Sequence, residues 1–260
     1  MKLAFCLAGK IGGLEGKDGL GKPTNFGYCF SSFYENIISR NDTDVFIHSW
    51  STEVETELTQ LYTPVKSIFE PQKEFPNNKE AKFFGGKGND PFKFFLTRSR
   101  FYSIQKVLEL KKKFELDNGF IYDAVMLTRF DLLWHTPLDF SLLDLQFFYV
   151  SNWNRVDYAR KTVDKNNIFS DSRILDLWFF SNSKFMDYFG DINNMLEKVN
   201  VGDPHAFIYW YLNQSEEIKN KIRYKFYRYF DCDVYRDRVA KEIKNGPIFK
   251  GNFTTVPRTY

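Results

Sequence analysis

The stretch Tyr122-Asp-Ala-Val-Met-Leu-Thr-Arg129-Phe-Asp131 sets an arginine and a carboxylate two residues apart at the end of a short apolar run. A buried strand over residues 124–127 would send Arg129 and Asp131 to one side and Phe130 to the other. A carboxylate there can hold a divalent cation that bridges a diphosphate, and an arginine can neutralise the same phosphates directly. The same two residues also make an ordinary strand-end ion pair, and the spacing suits both readings.

Other segments carry residue types with chemistry. Gly16-Lys-Asp-Gly-Leu-Gly21-Lys22 follows the phosphate-loop pattern until Pro23, which stands where a hydroxyl would ligate magnesium and has no N–H to offer. A surface loop is the simpler reading, a loop over a nucleotide with Lys10 or Lys22 near phosphate an intermediate one, and a P-loop-like kinase the third. A literal Asp231-Cys-Asp233 offers two carboxylates, but a basic, aromatic segment precedes it without a clean buried strand, so it ranks behind Asp131 for a metal. Arg98 and Arg100 precede the body of a long helix and can reach a phosphate as a helix N-terminus does, with surface charge as the alternative. Lys111, Lys112 and Lys113 read as a solvated face without function.

The elements that must position these groups follow from periodicity. Residues 3–8 and 44–48 are apolar runs of the length of buried strands, and residues 26–39 between them have helical spacing, which makes one β-α-β unit. Residues 53–61 predict a helix and 65–69 a third strand. Residues 71–91 predict a long loop suited to covering a site. Residues 94–116 predict a long amphipathic helix ended by Asn118-Gly119. Strands are expected over 146–150 and 175–180, with a polar stretch at 152–172 between them, and a late helix begins at 206–212. From 219 to 260 the chain is basic and aromatic with no clear period. Alternating strands and helices imply an α/β fold with a mostly parallel sheet flanked by helices and ligands at the strands' C-terminal ends.

The chain has 260 residues, enough for one large α/β domain whose core requires no disulfide or structural metal. A net charge of +3 is far from that of a dedicated nucleic-acid binder, so no nucleic-acid partner is expected. Three scattered cysteines imply free thiols in a reducing compartment. No apolar run approaches the ~20 residues of a membrane span, so a soluble, cytoplasmic protein without a transmembrane segment is expected, with peripheral membrane contact left open to the basic tail.

Ala4-Phe-Cys-Leu-Ala-Gly9, Asp44-Val-Phe-Ile-His-Ser-Trp50, Arg100-Phe-Tyr-Ser-Ile-Gln-Lys106 and Tyr122–Asp131 resemble the nucleotide-binding half of GT-A glycosyltransferases. More narrowly, they are similar to bacterial and viral capsule- or lipopolysaccharide-type sugar transferases. The resemblance implies a GT-A-like (Rossmann-like) sheet in a single domain. Residues 1–135 would bind a nucleotide-sugar donor, 136–218 would face a glycan or glycolipid acceptor, and 219–260 would form an extension. In that family an Asp-x-Asp motif binds the metal–diphosphate of the donor. Here Asp131 takes the second position and Arg129 the first, so a Mn or Mg cofactor is in question, since arginine can supply part of the charge itself. Donor contacts are implied at Ala8, Gly9, Lys10, Arg98, Arg100 and Arg129. Asp176 and Asp203 are implied candidates for the general base that deprotonates an acceptor hydroxyl. A helix N-cap is the other reading of Asp203, ahead of Pro204. His205 is a candidate third metal ligand. Trp178, Trp210 and Tyr211 could stack on a sugar, with core packing as the alternative. The expected activity is sugar transfer in polysaccharide biosynthesis, and the competing expectation is a non-catalytic nucleotide- or glycan-binding module on the same fold.

Overall fold

The computed structural model describes residues 1–11, 26–76, 82–85, 90–152, 154–157, 162–168, 173–227 and 231–235. Its framework is a seven-stranded sheet with helices on both faces. In chain order the elements begin with β1 (Lys2–Gly9), α1 (Phe26–Asn36), β2 (Asp42–Ser49), α2 (Glu55–Tyr62), β3 (Lys66–Phe69), β4 (Lys82–Phe84) and α3 (Pro91–Asn118). They continue with β5 (Ala124–Thr128), β6 (Leu132–Trp134), β7 (Phe148–Asn152), β8 (Asn154–Asp157), β9 (Thr162–Ile168) and β10 (Leu175–Ser181). The remainder are α4 (Ser183–Gly190), α5 (Ile192–Met195), β11 (Val199–Val201), α6 (Pro204–Asn213), β12 (Ile222–Tyr227) and β13 (Cys232–Val234).

The main sheet runs β12-β7-β10-β5-β1-β2-β3. Its neighbours are parallel except β10, which lies antiparallel between β5 and β7. Residues Leu3 to Ala8 of β1 are all buried, as a central strand covered on both faces requires. One face packs on α1 and α2 through residues such as Phe5, Phe33, Leu58 and Phe130. The other packs on α3, α4 and α6 through Cys6, Phe101, Phe179 and Phe207. The three cysteines are free and buried.

α3 is the longest positioning element. Asp90 caps it by accepting from the amides of Phe92 and Lys93, at 3.1 and 3.4 Å, and Pro91 supplies the first turn. Gly119 ends it in the left-handed region at φ 69°, where a side chain would be strained.

Several expectations are corrected here. Lys111 is not solvated: its side chain is fully buried, and Nζ donates to Glu115 Oε2 at 2.9 Å, to Ser183 Oγ at 2.6 Å and to the Asp187 carboxylate. The reason is helical phase, because 104, 107, 108, 111 and 115 fall on one stripe that faces the sheet and α4. Lys112 and Lys113 stay exposed as expected. The stretch 71–91 holds a strand, β4, that pairs in parallel with β11. Within 152–172, β8 and β9 form an antiparallel pair. Residues 222–227 are not irregular but form the edge strand β12 of the main sheet, and β13 pairs with β6. Trp178 and Tyr211 are core residues, and Trp210 packs on Phe84 and Phe207. The phosphate-loop pattern at 16–22 lies outside the described residues.

The Lys111 cluster joins three elements, because Glu115 Oε1 also accepts from the Tyr122 amide that opens the approach to β5 (2.9 Å) and from Ser183 Oγ (2.7 Å). Removing the cation strands two carboxylates, of which Asp187 already has its pKa raised by burial. Lys111→Ala is expected to lower the unfolding free energy by about 3–5 kcal/mol in urea denaturation. A loss within about 0.5 kcal/mol would contradict this role.

Candidate functional site

The parallel strands β1, β2 and β5 end at one edge of the sheet, and the antiparallel β10 begins there. That geometry delivers Ala8 and Gly9 with Lys10 from β1, Trp50 from beyond β2, Arg129 and Asp131 from beyond β5, and Asp176 from the start of β10. Together with Arg100 from α3 and Pro204 at the start of α6 they line a cavity of about 250 Å³. The position follows the rule that open α/β sheets bind ligands beyond the C-terminal ends of their strands.

At its centre the Arg129 guanidinium donates from Nε to Asp131 Oδ1 at 2.7 Å and from Nη2 to Oδ2 at 2.6 Å. Nη1, at the other edge of the same group, lies 3.9 Å from Asp176 Oδ1. Burial on its own would lower the Arg129 pKa, but Asp131 and then Asp176 outweigh it and raise it, so the charge is secure. β5 stops at Thr128, yet Arg129 and Asp131 still share a side while Phe130 enters the core. The ion-pair reading of this motif therefore describes its geometry, and its cavity position keeps the ligand reading open.

Arg100 knits the strand ends together. Nη1 donates to the Ala8 carbonyl at 2.7 Å and Nη2 to the Asp176 carbonyl at 3.3 Å. Desolvation pulls its pKa down to about 10, with Asp176 pulling the other way, so it is still a cation at neutral pH. Gly9 adopts φ 116°, a conformation that suits glycine, since a side chain there would be strained even though a Cβ would meet Arg100 Nη1 only at ordinary contact distance. Lys10, Arg100 and Arg129 line the cavity together with Asp131 and Asp176, so cations outnumber carboxylates by one, a balance suited to an anion.

The other expected site residues lie elsewhere. Arg98 donates to the Pro76 carbonyl at 3.1 Å and lies over the Phe75 ring, outside the cavity wall. Asp203 caps α6 by accepting from the Ala206 amide at 3.1 Å and pairs with Arg173 at 2.8 Å, so its capping role is the one the geometry displays. His205 Nδ1 lies 3.0 Å from the Ile174 carbonyl, on the first turn of α6. Among the described residues no group of three or more His, Cys, Asp or Glu is placed to hold a metal ion. Asp231 directly precedes the short strand β13 and Asp233 lies within it, with the Asp231 carboxylate accepting from Thr136 Oγ1, and neither lines the cavity.

Sequence reading gave no site role to Trp50, Gln72, Leu96, Thr97, Ser99 and Phe101, which also line the wall. The signal for Trp50 was available, since it directly follows a strand ending at the ligand edge. Its ring stacks on Tyr102, with centroids 5.3 Å apart and planes at 24°, and meets His48 edge-on at 4.9 Å. His48 is buried with Nδ1 2.8 Å from Ser103 Oγ and Nε2 3.1 Å from Glu70 Oε1, and Glu70 in turn pairs with Lys73 at 2.9 Å.

Burial lowers the His48 pKa from its ordinary 6.5, and the Glu70 hydrogen bond only partly offsets this. The unfolded chain therefore takes up this proton more readily than the folded one. Stability from His48 is complete above the ordinary imidazole value and is lost as pH falls through it towards the lower folded value. Between pH 7 and 5.5 the unfolding free energy should fall, with a His48 share of at most ~1.4 kcal/mol per pH unit, and the fall should be shallower in His48→Gln. Identical slopes in urea titrations would refute the assignment.

No protein-family model matches the chain, and no curated protein matches it. Among solved structures, the chain is similar to the nucleoside-diphosphate-sugar pyrophosphorylase from Vibrio cholerae RC9, with a TM-score of 0.46 and 13% identity, over 94% of this chain and 100% of that one. A likeness this loose transfers no residue's role. Among the described residues no helix is long and apolar enough to cross a membrane.

Proposed function

We propose that this protein is a glycosyltransferase that moves a sugar from a nucleoside-diphosphate donor to a hydroxyl of a glycan or glycolipid acceptor. The observation that carries the reading is the convergence of Lys10, Arg100 and Arg129 with Asp131 and Asp176 in one cavity at the sheet's ligand edge. The resemblance of the strand ends to nucleotide-sugar transferases agrees with it.

In such a reaction the bond between the sugar's anomeric carbon and the diphosphate breaks, and the leaving diphosphate gains negative charge. Cations already fixed beside it lower the barrier without having to reorganise. Arg129 meets that requirement because Asp131 holds it through two hydrogen bonds. Arg100 meets it because two main-chain carbonyls hold it. Asp176, at the other edge of the Arg129 guanidinium, is the candidate base for the acceptor's proton. The described residues do not fit a divalent cation well: both Asp131 oxygens bind Arg129, and no three-ligand set surrounds them. The proposed chemistry accordingly depends on the guanidinium groups.

A second reading, a non-catalytic module that binds a nucleotide or glycan, is favoured by the same engagement of Asp131 with Arg129. Binding of a nucleoside diphosphate by the wild-type protein without turnover of any donor sugar would select it.

Asp131→Asn keeps the shape of the side chain but releases the ionic hold on Arg129. It is expected to cut transfer and donor hydrolysis by about 10²–10³-fold while the circular dichroism spectrum stays that of the folded protein. Near-wild-type turnover in the folded variant would overturn the site assignment.

A further inference from the structure

Large apolar side chains stand in solvent together at the start of α3 and on the strand that meets it. Phe92 is 60% exposed, Phe83 of β4 48% and Leu96 43%. Positions 92, 95 and 96 fall on one face of the helix, and the half-buried Phe95 stacks its ring on Phe92, with centroids 6.5 Å apart and planes at 19°. β4 adds Phe83, whose ring meets Phe94 of the same helical turn at 5.9 Å. Leu96 also lines the cavity of the candidate site, so the apolar surface runs from the cavity wall to the helix start.

The fold displays these side chains on fixed supports. Asp90 and Pro91 set the start of α3. β4 is held by its pairing with β11, and at Gly202, just past β11, an added Cβ would come within 2.6 Å of the Gly85 carbonyl oxygen and 3.0 Å of the Phe83 ring. A side chain at 202 would therefore push Phe83 aside. Single exposed apolar residues need no explanation, whereas a gathered group marks a surface that something else covers.

The charges beside the rings identify what covers it. Across residues 82–85 and 90–98, Lys82, Lys93 and the half-buried Arg98 stand against Asp90 alone. The neighbouring segment 73–76 adds Lys73 and Glu74, which cancel. Lys82 is exposed, and Lys93, also exposed, reaches the Asp90 carboxylate only at 3.7 Å. Protein interfaces favour aromatic rings but disfavour lysine. A bilayer with anionic headgroups accepts both, because rings enter the boundary between headgroups and acyl chains while lysines reach the phosphates.

We propose that β4 and the start of α3 form a docking surface for an anionic lipid bilayer. Phe83, Phe92 and Leu96 enter the interface, and Lys82 and Lys93 meet the headgroup phosphates. This sets the cavity wall beside the bilayer, which suits an acceptor carried on a lipid. The proposal goes beyond the sugar-transfer reading and does not depend on it, since neither donor nor acceptor enters its test.

That test is co-sedimentation of the full chain with vesicles of phosphatidylcholine alone and of phosphatidylcholine mixed equally with phosphatidylglycerol. The wild-type chain should bind the mixed vesicles about tenfold more tightly than the neutral ones. Phe92→Gln keeps a good helix former at an exposed position and should weaken that binding about tenfold, with the circular dichroism spectrum unchanged. Failure of the wild-type chain to bind the mixed vesicles would overturn the proposal. Binding that survives both Phe92→Gln and Phe83→Gln would also sink it, by placing the contact elsewhere on the chain. A lipid-free dimer in sedimentation equilibrium that Phe92→Gln dissociates would contradict it as well, by giving the patch to a second copy.

Discussion

Two parallel hydrogen bonds from the Arg129 guanidinium to Asp131, just beyond the end of β5, organise the cavity at the C-terminal edge of the parallel strands. A guanidinium placed so deep would normally lose proton affinity, and its neighbours decide the outcome. Asp131 and Asp176 hold the charge in place, and the Asp131 carbonyl accepts from the Tyr235 amide at 2.7 Å, tying the motif to the β6–β13 pair behind it. The pair is thus fixed from its side chains and from its backbone. A cation held this way is ready for an anion before the anion arrives.

The sheet topology explains why so few residues suffice. β1 and β5 run parallel and end side by side, so Gly9 and Arg129 come together without a long loop. β10 runs the opposite way, which brings its first residues, including Asp176, to that same edge. Arg100 then bonds the carbonyls of Ala8 and Asp176 from the helix side and closes the cavity floor. On the far side of the sheet's helical layer, the buried Lys111 cluster fixes the end of α3 to the approach to β5 and the start of α4. The position of α3, and with it Arg100, depends on that cluster.

Much of this was readable from residue types. The buried strands at 3–8, 44–48 and 124–127 announce themselves by short apolar runs, and their common edge places Ala8, Gly9, Lys10, Arg129 and Asp131 together by topology alone. Asp176, Asp203 and His205 came from the family resemblance alone: only the antiparallel run of β10 brings Asp176 to that edge, while Asp203 caps α6 ahead of Pro204 and His205 lies on its first turn. Lys111 was misread because three consecutive lysines look solvated, and only the phase of the helix separates the one that points inward. β4, β12 and β13 are short or lack alternation, and their pairing partners lie far away in the chain, so tertiary contact and not local pattern makes them strands. Trp50 directly follows the strand at 44–48, so the same topology would have placed it at this edge, whereas Gln72, Thr97 and Ser99 reach the wall only through tertiary packing.

The central claim, that the Arg129–Asp131 edge receives a diphosphate, is tested most directly by a crystal structure of the chain grown with a nucleoside diphosphate that it binds in solution. The account predicts phosphate density within hydrogen-bond distance of Arg129 and Arg100. Well-defined nucleotide elsewhere on the molecule, with the Arg129–Asp131 pair undisturbed and no density beside it, would contradict it.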